Sequence, residues 1–262
     1  MFRALYTAAS GMIAQQLNLD NIANNLANAS TSGFRKRRLQ FQDLMYQNLI
    51  VPGSAATQQT TVPTGLQIGL GTRSAASEMI QAQGDLENTG NSLDMAIEGA
   101  GFFQIVLPSG DVGYTRSGAF HMDAEGNLVT ADGDQLEPSV TIPADALNVS
   151  IGADGTVSVT QPGQQEATQV GTIDLALFPN PGGLDSIGKN LFLATSASGD
   201  PIIGTAGQDG LGSLRQGMLE GSNVNVVEEF IQMILTQRSY EANSKVVRAA
   251  DEMFQQMNNM HR

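Results

Sequence analysis

The chain has 262 residues with a formal charge of −13, 29 glycines, no cysteine and no tryptophan. Without cysteine there is no disulfide framework, thiol catalysis or zinc–thiolate site, and no run of 18 apolar residues is present to span a membrane. The acidic balance argues against a general nucleic-acid binder.

From about Arg3 to Ala29 the pattern is helical. Leu5, Met12, Leu19 and Leu26 recur at seven-residue spacing, and Ala9, Ile22 and Ala23 widen the stripe. Gln15, Gln16 and Asn18 interrupt any apolar signal core, so no cleavable secretory signal is expected. Asn18, Asn21, Asn24, Asn25 and Asn28 form a second row at three- and four-residue steps. Asparagine competes with the helix for backbone hydrogen bonds, so this helix is weak in isolation. Two readings of the row stay open: a solvated polar face, or carboxamides buried between helices, where they fix register. Ser30-Thr31-Ser32-Gly33 ends the helix, with Gly33 the expected left-handed stop.

Arg35-Lys36-Arg37-Arg38 lacks interleaved aromatics and reads as a solvated or subunit-contacting cluster. Phe41, Leu44, Met45 and Leu49 suggest a short helix or an extended apolar segment. Across 51–75, Pro52, Gly53, Pro63, Gly65, Gly69 and Gly71 punctuate a polar run, which reads as a linker or a long extended hairpin projecting as a mobile arm. Acidic groups concentrate in the middle: residues 51–222 hold nineteen against four basic ones, whereas residues 1–50 hold two against five.

From about Gly90 to Thr205 the signals are those of antiparallel strands. Phe102–Leu107 and Gly113–Arg116 flank a turn at 108–111; Ala119–Met122 and Asn127–Thr130 flank one at 123–126; Asn148–Ile151 and Thr156–Thr160 flank one at 152–155. The last helix follows Gly217–Gly221, with Asn225 placed to cap it and Glu228 to complete a capping box. Val226, Met233, Tyr240, Val247 and Phe254 repeat at seven-residue spacing along it. At 1.5 Å per residue the carboxy helix is roughly 50 Å long and the amino helix roughly 40 Å. Helices this long must bury their seams on each other or on other copies of the chain.

The expected fold is therefore α+β: long terminal helices forming a coiled-coil inner domain (1–34 and 222–262), an extended linking segment (35–89 and 206–221), and a mainly antiparallel all-β outer domain (90–205). The expected subunit-interface residues are Leu5, Met12, Leu19, Asn21, Asn24, Asn25, Leu26, Asn28, Val226, Met233, Tyr240, Val247 and Phe254. Chemistry finds little footing. His121 and His261 are the only histidines, and no nucleophile elbow, zinc-binding helix motif or phosphate loop occurs. Asp132-Gly133-Asp134 and Asp123 to Asn127 resemble fragments of calcium loops, but strands flank them, so they read as β-turns. No catalytic, cofactor or metal site is expected.

The run from Leu19 to Asn28 (LDNIANNLAN), followed by Thr31-Ser32-Gly33-Phe34-Arg35, resembles the amino-terminal signature of the bacterial flagellar axial proteins, which form rod, hook and hook–filament junction. Glu220 to Val226 and Thr236 to Lys245 are similar to the matching carboxy-terminal signature. Phe41 to Gln47, Gly65 to Gly69, Leu93 to Gly99, Gly101 to Gln104 and Tyr114 to Gly118 resemble the distal-rod branch of that family. The resemblance implies a non-enzymatic helical homopolymer, the distal part of a drive shaft crossing the periplasm and part of the export channel. It implies export through the flagellar type III apparatus without signal cleavage. Its implied partners are other copies of the chain, proximal rod proteins, the hook protein, the rod cap and the surrounding rings. On this view the terminal helices are largely disordered in the free monomer and order on incorporation. Another axial protein (hook or proximal rod), a surface-binding β module and a cell-wall enzyme are the alternatives weighed against it.

Overall fold

A computed structural model describes residues 2–53, 63–163 and 167–260. The fold is α+β, and the chain divides into two compact units. One comprises residues 1–26, 37–78 and 225–262; the other comprises 27–36 and 79–224.

The first unit holds both long helices, α1 (Phe2–Ala27) and α2 (Val226–Met260). Asn225 caps α2, its Oδ1 accepting the N–H groups of Val227 and Glu228. Between the helices in sequence, Arg37–Asp43 pairs with Thr72–Met79, and Tyr46–Ile50 pairs antiparallel with Leu66–Gly69. The stretch around Phe41 and Leu49 is thus extended rather than helical. Its apolar residues Leu39 and Phe41 alternate with polar ones, which is the period of a strand. The hairpin base meets α1 at Gly71, whose φ is +122° and where a Cβ would fall on the Ser10 hydroxyl. Of the stretch expected to form a projecting arm, residues 54–62 lie outside the described residues.

The second unit is β-rich, and every strand pairing in it is antiparallel. Its largest sheet has nine strands with Phe102–Val106 near the centre. The three hairpins expected from sequence all form: 102–106 with 112–115, 121–122 with 128–129, and 148–151 with 156–160. Successive side chains on a strand point to opposite faces. Phe103 and Ile105 therefore enter a core with Met95, Ile97, Phe120, Leu128 and Leu136, while Phe102 enters a second core with Phe178, Phe192 and Met79. Edge-to-face ring pairs brace both sides, Phe103 on Phe120 at 5.2 Å and Tyr114 on Phe178 at 4.7 Å. Two further strands, Ser213–Gln216 and Met218–Glu220, pair with Met95–Glu98 and Leu86–Asn88. Residues leading toward α2 are thereby stitched into this unit.

Candidate subunit interface

Within the first unit the helices meet along a polar line. Asn25 Nδ2 donates to Glu229 Oε2 at 3.3 Å and Asn18 Nδ2 to Thr236 Oγ1 at 3.1 Å, while a Cβ on Gly11 would stand 2.9 Å from Asn243 Nδ2. Numbers rise along α1 as they fall along α2, in steps of seven on both, so the helices run antiparallel here. Glu229, Thr236 and Ala250 are buried, as are Ala8, Ala14, Ile22 and Asn25 on α1. The stripe that closes within one chain is built from small and polar residues. Small side chains permit the close approach, and paired polar groups set the register.

The asparagine row also holds the chain that follows it. Asn25 Oδ1 accepts the Arg37 N–H at 3.0 Å, and its Nδ2 donates to the Arg37 carbonyl at 2.9 Å, as does Asn21 Nδ2 at 2.8 Å. Asn25, 2 % exposed, behaves as a one-residue strand edge for Arg37. Asn28 Oδ1 accepts from Thr31 Oγ1, and Asn24 lies on the outer surface. Of the two readings of the row, burial holds for Asn25, partial burial for Asn18, Asn21 and Asn28, and exposure for Asn24.

The apolar heptads lie elsewhere. Leu5, Met12, Leu19 and Leu26 are half-buried, as are Met233, Val247 and Phe254, whereas Val226 and Tyr240 are exposed. In its first ten residues α2 is apolar on most of its circumference, and Val226, Val227, Phe230, Ile231, Ile234 and Leu235 are all exposed, Val227 at 67 %. A helix hydrophobic all round is normally a buried helix. Tyr6, Ile13 and Leu17 extend the same exposure to α1, and Met45, Tyr46, Leu49, Ile50, Leu66 and Ile68 to the hairpin.

The basic run departs from its sequence reading as one solvated or subunit-contacting cluster. Arg35 is buried in the second unit, with Nη2 2.7 Å from Glu220 Oε1. Arg37 is held by its backbone at the asparagines, and Arg38 reaches the exposed Glu78 at 2.9 Å. The reason is backbone geometry: an extended chain sends neighbouring side chains to different faces, so four like residues in a row need not share one environment. Buried Glu220 compensates a charge that the sequence offered no way to pair. Residue Glu220 was missed as a structural centre, because a carboxylate 185 positions from its partner carries no local signal.

Among the described residues no three histidine or acidic side chains cluster so as to hold a metal ion. A cavity lined by Val106, Leu107, Pro108, Gly133, Asp134 and Gln135, about 210 Å³, has one carboxylate, that of Asp134, in its lining. Among the described residues no helix is long and apolar enough to cross a membrane.

Three family matches divide the chain along these features. Residues 5–35 match "Flagella basal body rod protein", 96–159 match "Flagellar hook protein FlgE/F/G D1 domain", and 215–260 match "Flagellar basal body rod FlgEFG protein C-terminal". The flagellar basal-body rod protein FlgG of Buchnera aphidicola subsp. Schizaphis graminum is 46 % identical, the alignment covering 99 % of this chain and 100 % of that protein. The chain belongs to the flagellar basal-body rod protein family. FlgG of Borreliella burgdorferi is 46 % identical and FlgG of Bacillus subtilis 40 %, each over 100 % of both chains. The flagellar hook-basal body complex protein FlhP of Bacillus subtilis is 28 % identical over 99 % of this chain. The two terminal rod-family matches contain α1 from residue 5 onward with the asparagine row and Arg35, and Glu220 with the whole of α2.

Proposed function

We propose that this chain is a structural, non-enzymatic subunit of the distal flagellar rod, a helical homopolymer that transmits torque and lines part of the export channel. The observation that carries the reading is the exposed apolar circumference of α2 from Val226 to Leu235 in a single chain. Such a surface is satisfied by packing against further helices, and identical copies supply them in unlimited number. Full-length relatedness at 40–46 % to FlgG proteins, against 28 % to FlhP, favours the rod over other axial roles. In the polymer α1 and α2 form an inner coiled-coil layer, with Leu5, Met12, Leu19, Leu26, Val226, Met233, Tyr240, Val247 and Phe254 facing neighbouring copies. The β-rich unit forms an outer layer, and the segment 51–75 stiffens the shaft. Proximal rod proteins, hook protein, rod cap, surrounding rings and the flagellar export apparatus are its partners, and the rod crossing the periplasm is its place.

Few large apolar residues are buried in the helical unit of one chain, so its helices gain most of their stability on incorporation. The ordering cost limits spontaneous polymerisation of free subunits at low concentration. The test is analytical ultracentrifugation and electron microscopy of the purified chain over a concentration series. Growth of tubular or filamentous assemblies, abolished by Phe230→Ser with Ile234→Ser, is expected. A chain that stays monomeric at every concentration and in the presence of preformed rod ends would sink the reading.

A further inference from the structure

The β-rich unit contains a buried charge cluster that the assembly surface does not use. Glu220, 1 % exposed, accepts Arg35 Nη2 at 2.7 Å and the Gly84 N–H at 3.0 Å on Oε1, and Arg116 Nε at 2.8 Å on Oε2. Arg116 is built in on every side, its remaining nitrogens donating to the carbonyls of Gly101 at 2.6 Å, Gly99 at 2.8 Å and Ile97 at 3.2 Å. Arg35 arrives on a different piece of chain, the strap of residues 31–36 that follows α1 in sequence. Besides Glu220 its guanidinium reaches the Ala82 carbonyl, and its buried Nε has no hydrogen-bond partner.

Backbone contacts seat the strap beside Arg35. Gly33 N–H donates to the Glu220 carbonyl at 2.8 Å, Asn190 Nδ2 donates to the Ser32 carbonyl at 3.1 Å, and Lys36 N–H donates to Asn223 Oδ1 at 2.7 Å. Gly33 has φ +72°, and a Cβ there would stand 2.5 Å from Ser117 N, so the strap lies directly on the backbone beside Arg116.

Charge bookkeeping distinguishes the closed strap from permanent core. With the strap seated, two guanidiniums face one carboxylate in a buried site; with it lifted, Arg116 and Glu220 remain as a balanced, fully hydrogen-bonded pair. Burial, together with the neighbouring Arg116, lowers the Arg35 pKa to about 10, outweighing the pull of Glu220 in the other direction. A seated Arg35 is thus held by one ion pair and a few backbone bonds against an electrostatic penalty, the condition of a contact that can open without unfolding what lies beneath it.

We propose that Arg35 and Glu220 form a reversible latch that joins the strap after α1 to the segment before α2, and that the latch must close before the two helices can enter a polymer. The assembly half of this statement rests on the rod reading; the latch itself does not. Arg35 is a positioning residue: within the β-rich unit it ties the strap after α1 to the segment before α2.

The test uses full-length chain with Arg35→Glu, which sets like charge against Glu220 while leaving the Arg116–Glu220 pair intact, and Arg35→Lys as the conservative control. Hydrogen exchange is expected to rise at least about tenfold at the Gly33 and Lys36 amides in Arg35→Glu, with the 102–106 and 174–177 strands unchanged and polymer growth lost. Arg35→Lys is expected to retain both closure and growth. Unchanged strap exchange in Arg35→Glu overturns the latch, and an opened strap with normal polymer growth overturns its role in assembly. If wild-type chain fails to polymerise, the rod reading falls, while strap exchange still decides the latch.

Discussion

At the scale of single residues, the positions that matter most are polar and scarcely visible from outside. Asn25 satisfies both backbone groups of Arg37 and reaches Glu229 besides. Asn25→Leu would remove one hydrogen bond each from the Arg37 N–H, the Arg37 carbonyl (which keeps Asn21) and the Glu229 carboxylate, so a loss of about 1–3 kcal/mol in the stability of the helical unit is expected, read from urea unfolding followed by helical circular dichroism. Gly33→Ala meets both a left-handed backbone and the Ser117 nitrogen, and is expected to destabilise the β-rich unit by more than about 1 kcal/mol, read from native-state hydrogen exchange at the amides of strand 102–106. The turn aspartates add a pH dependence. Hydrogen bonds from Asn127 hold the Asp123 carboxyl below the usual carboxylate range, and those from Thr156 do the same for Asp154. A depressed folded pKa stabilises above the unfolded value of about 3.9 and loses that contribution as pH falls through the lower folded value. Asp154→Ala should therefore lower the urea midpoint near neutral pH, with mutant and wild type converging once the pH has fallen through the depressed folded value. A difference that persists there would show that the turn acts through packing instead.

At the scale of elements, the helices show how a periodicity can be legible while leaving open which stripe closes within one chain. The seven-residue repeats exist, and the apolar one was the obvious candidate for a seam. In one chain the helices meet instead along Gly11, Asn18 and Asn25 against Asn243, Thr236 and Glu229, one step round from Leu5, Met12, Leu19 and Leu26. A signal for this was present: Ala8, Gly11 and Ala14 on α1, with Ala250 on α2, mark a face where helices can approach closely. The exposed stripe sets the next expectation. Polar replacements at Phe230 and Ile234 should leave monomer stability within about 0.5 kcal/mol, because both side chains are exposed, while preventing assembly. Trypsin gives a second check. Arg37 and Arg38 open the strand Arg37–Asp43 of the helical unit and Arg238, Lys245 and Arg248 lie on α2, so early cuts there, with cleavage after Arg35 delayed by burial, are expected for a helical unit that orders on incorporation. Early cleavage inside 102–177 would contradict it.

At the scale of the whole molecule, buried apolar groups are distributed unequally. The β-rich unit owns two aromatic-lined cores, whereas among the described residues of the helical unit the buried apolar ones are Ala8, Ala14, Ile22 and Ala250. Differential scanning calorimetry of the free chain should show the β-rich unit melting cooperatively, with helical signal lost at lower temperature. Assembly should then raise the helical transition toward the other, because packing between copies covers the apolar surface of α2. A single transition unaffected by polymerisation would mean that the helices are stabilised within one chain.

Sequence alone determined what depends on neighbours along the chain. Helix periods, the Asn225 cap, the left-handed φ of Gly33 and the Asp/Gly hairpin turns of the β-rich unit are local, because backbone sterics and short-range hydrogen bonds act over a few residues; Gly33 is nevertheless not the stop of α1, which ends at Ala27, six residues earlier. Two signatures at the chain ends carried the family for the same reason, being long contiguous strings. Tertiary structure alone decided which stripe of each helix closes within the chain, that strands 213–216 and 218–220 return to 95–98 and 86–88, and that Arg35 is buried on Glu220. Each of these depends on groups far apart in sequence, where charge balance and close approach are settled only once the chain has brought them together.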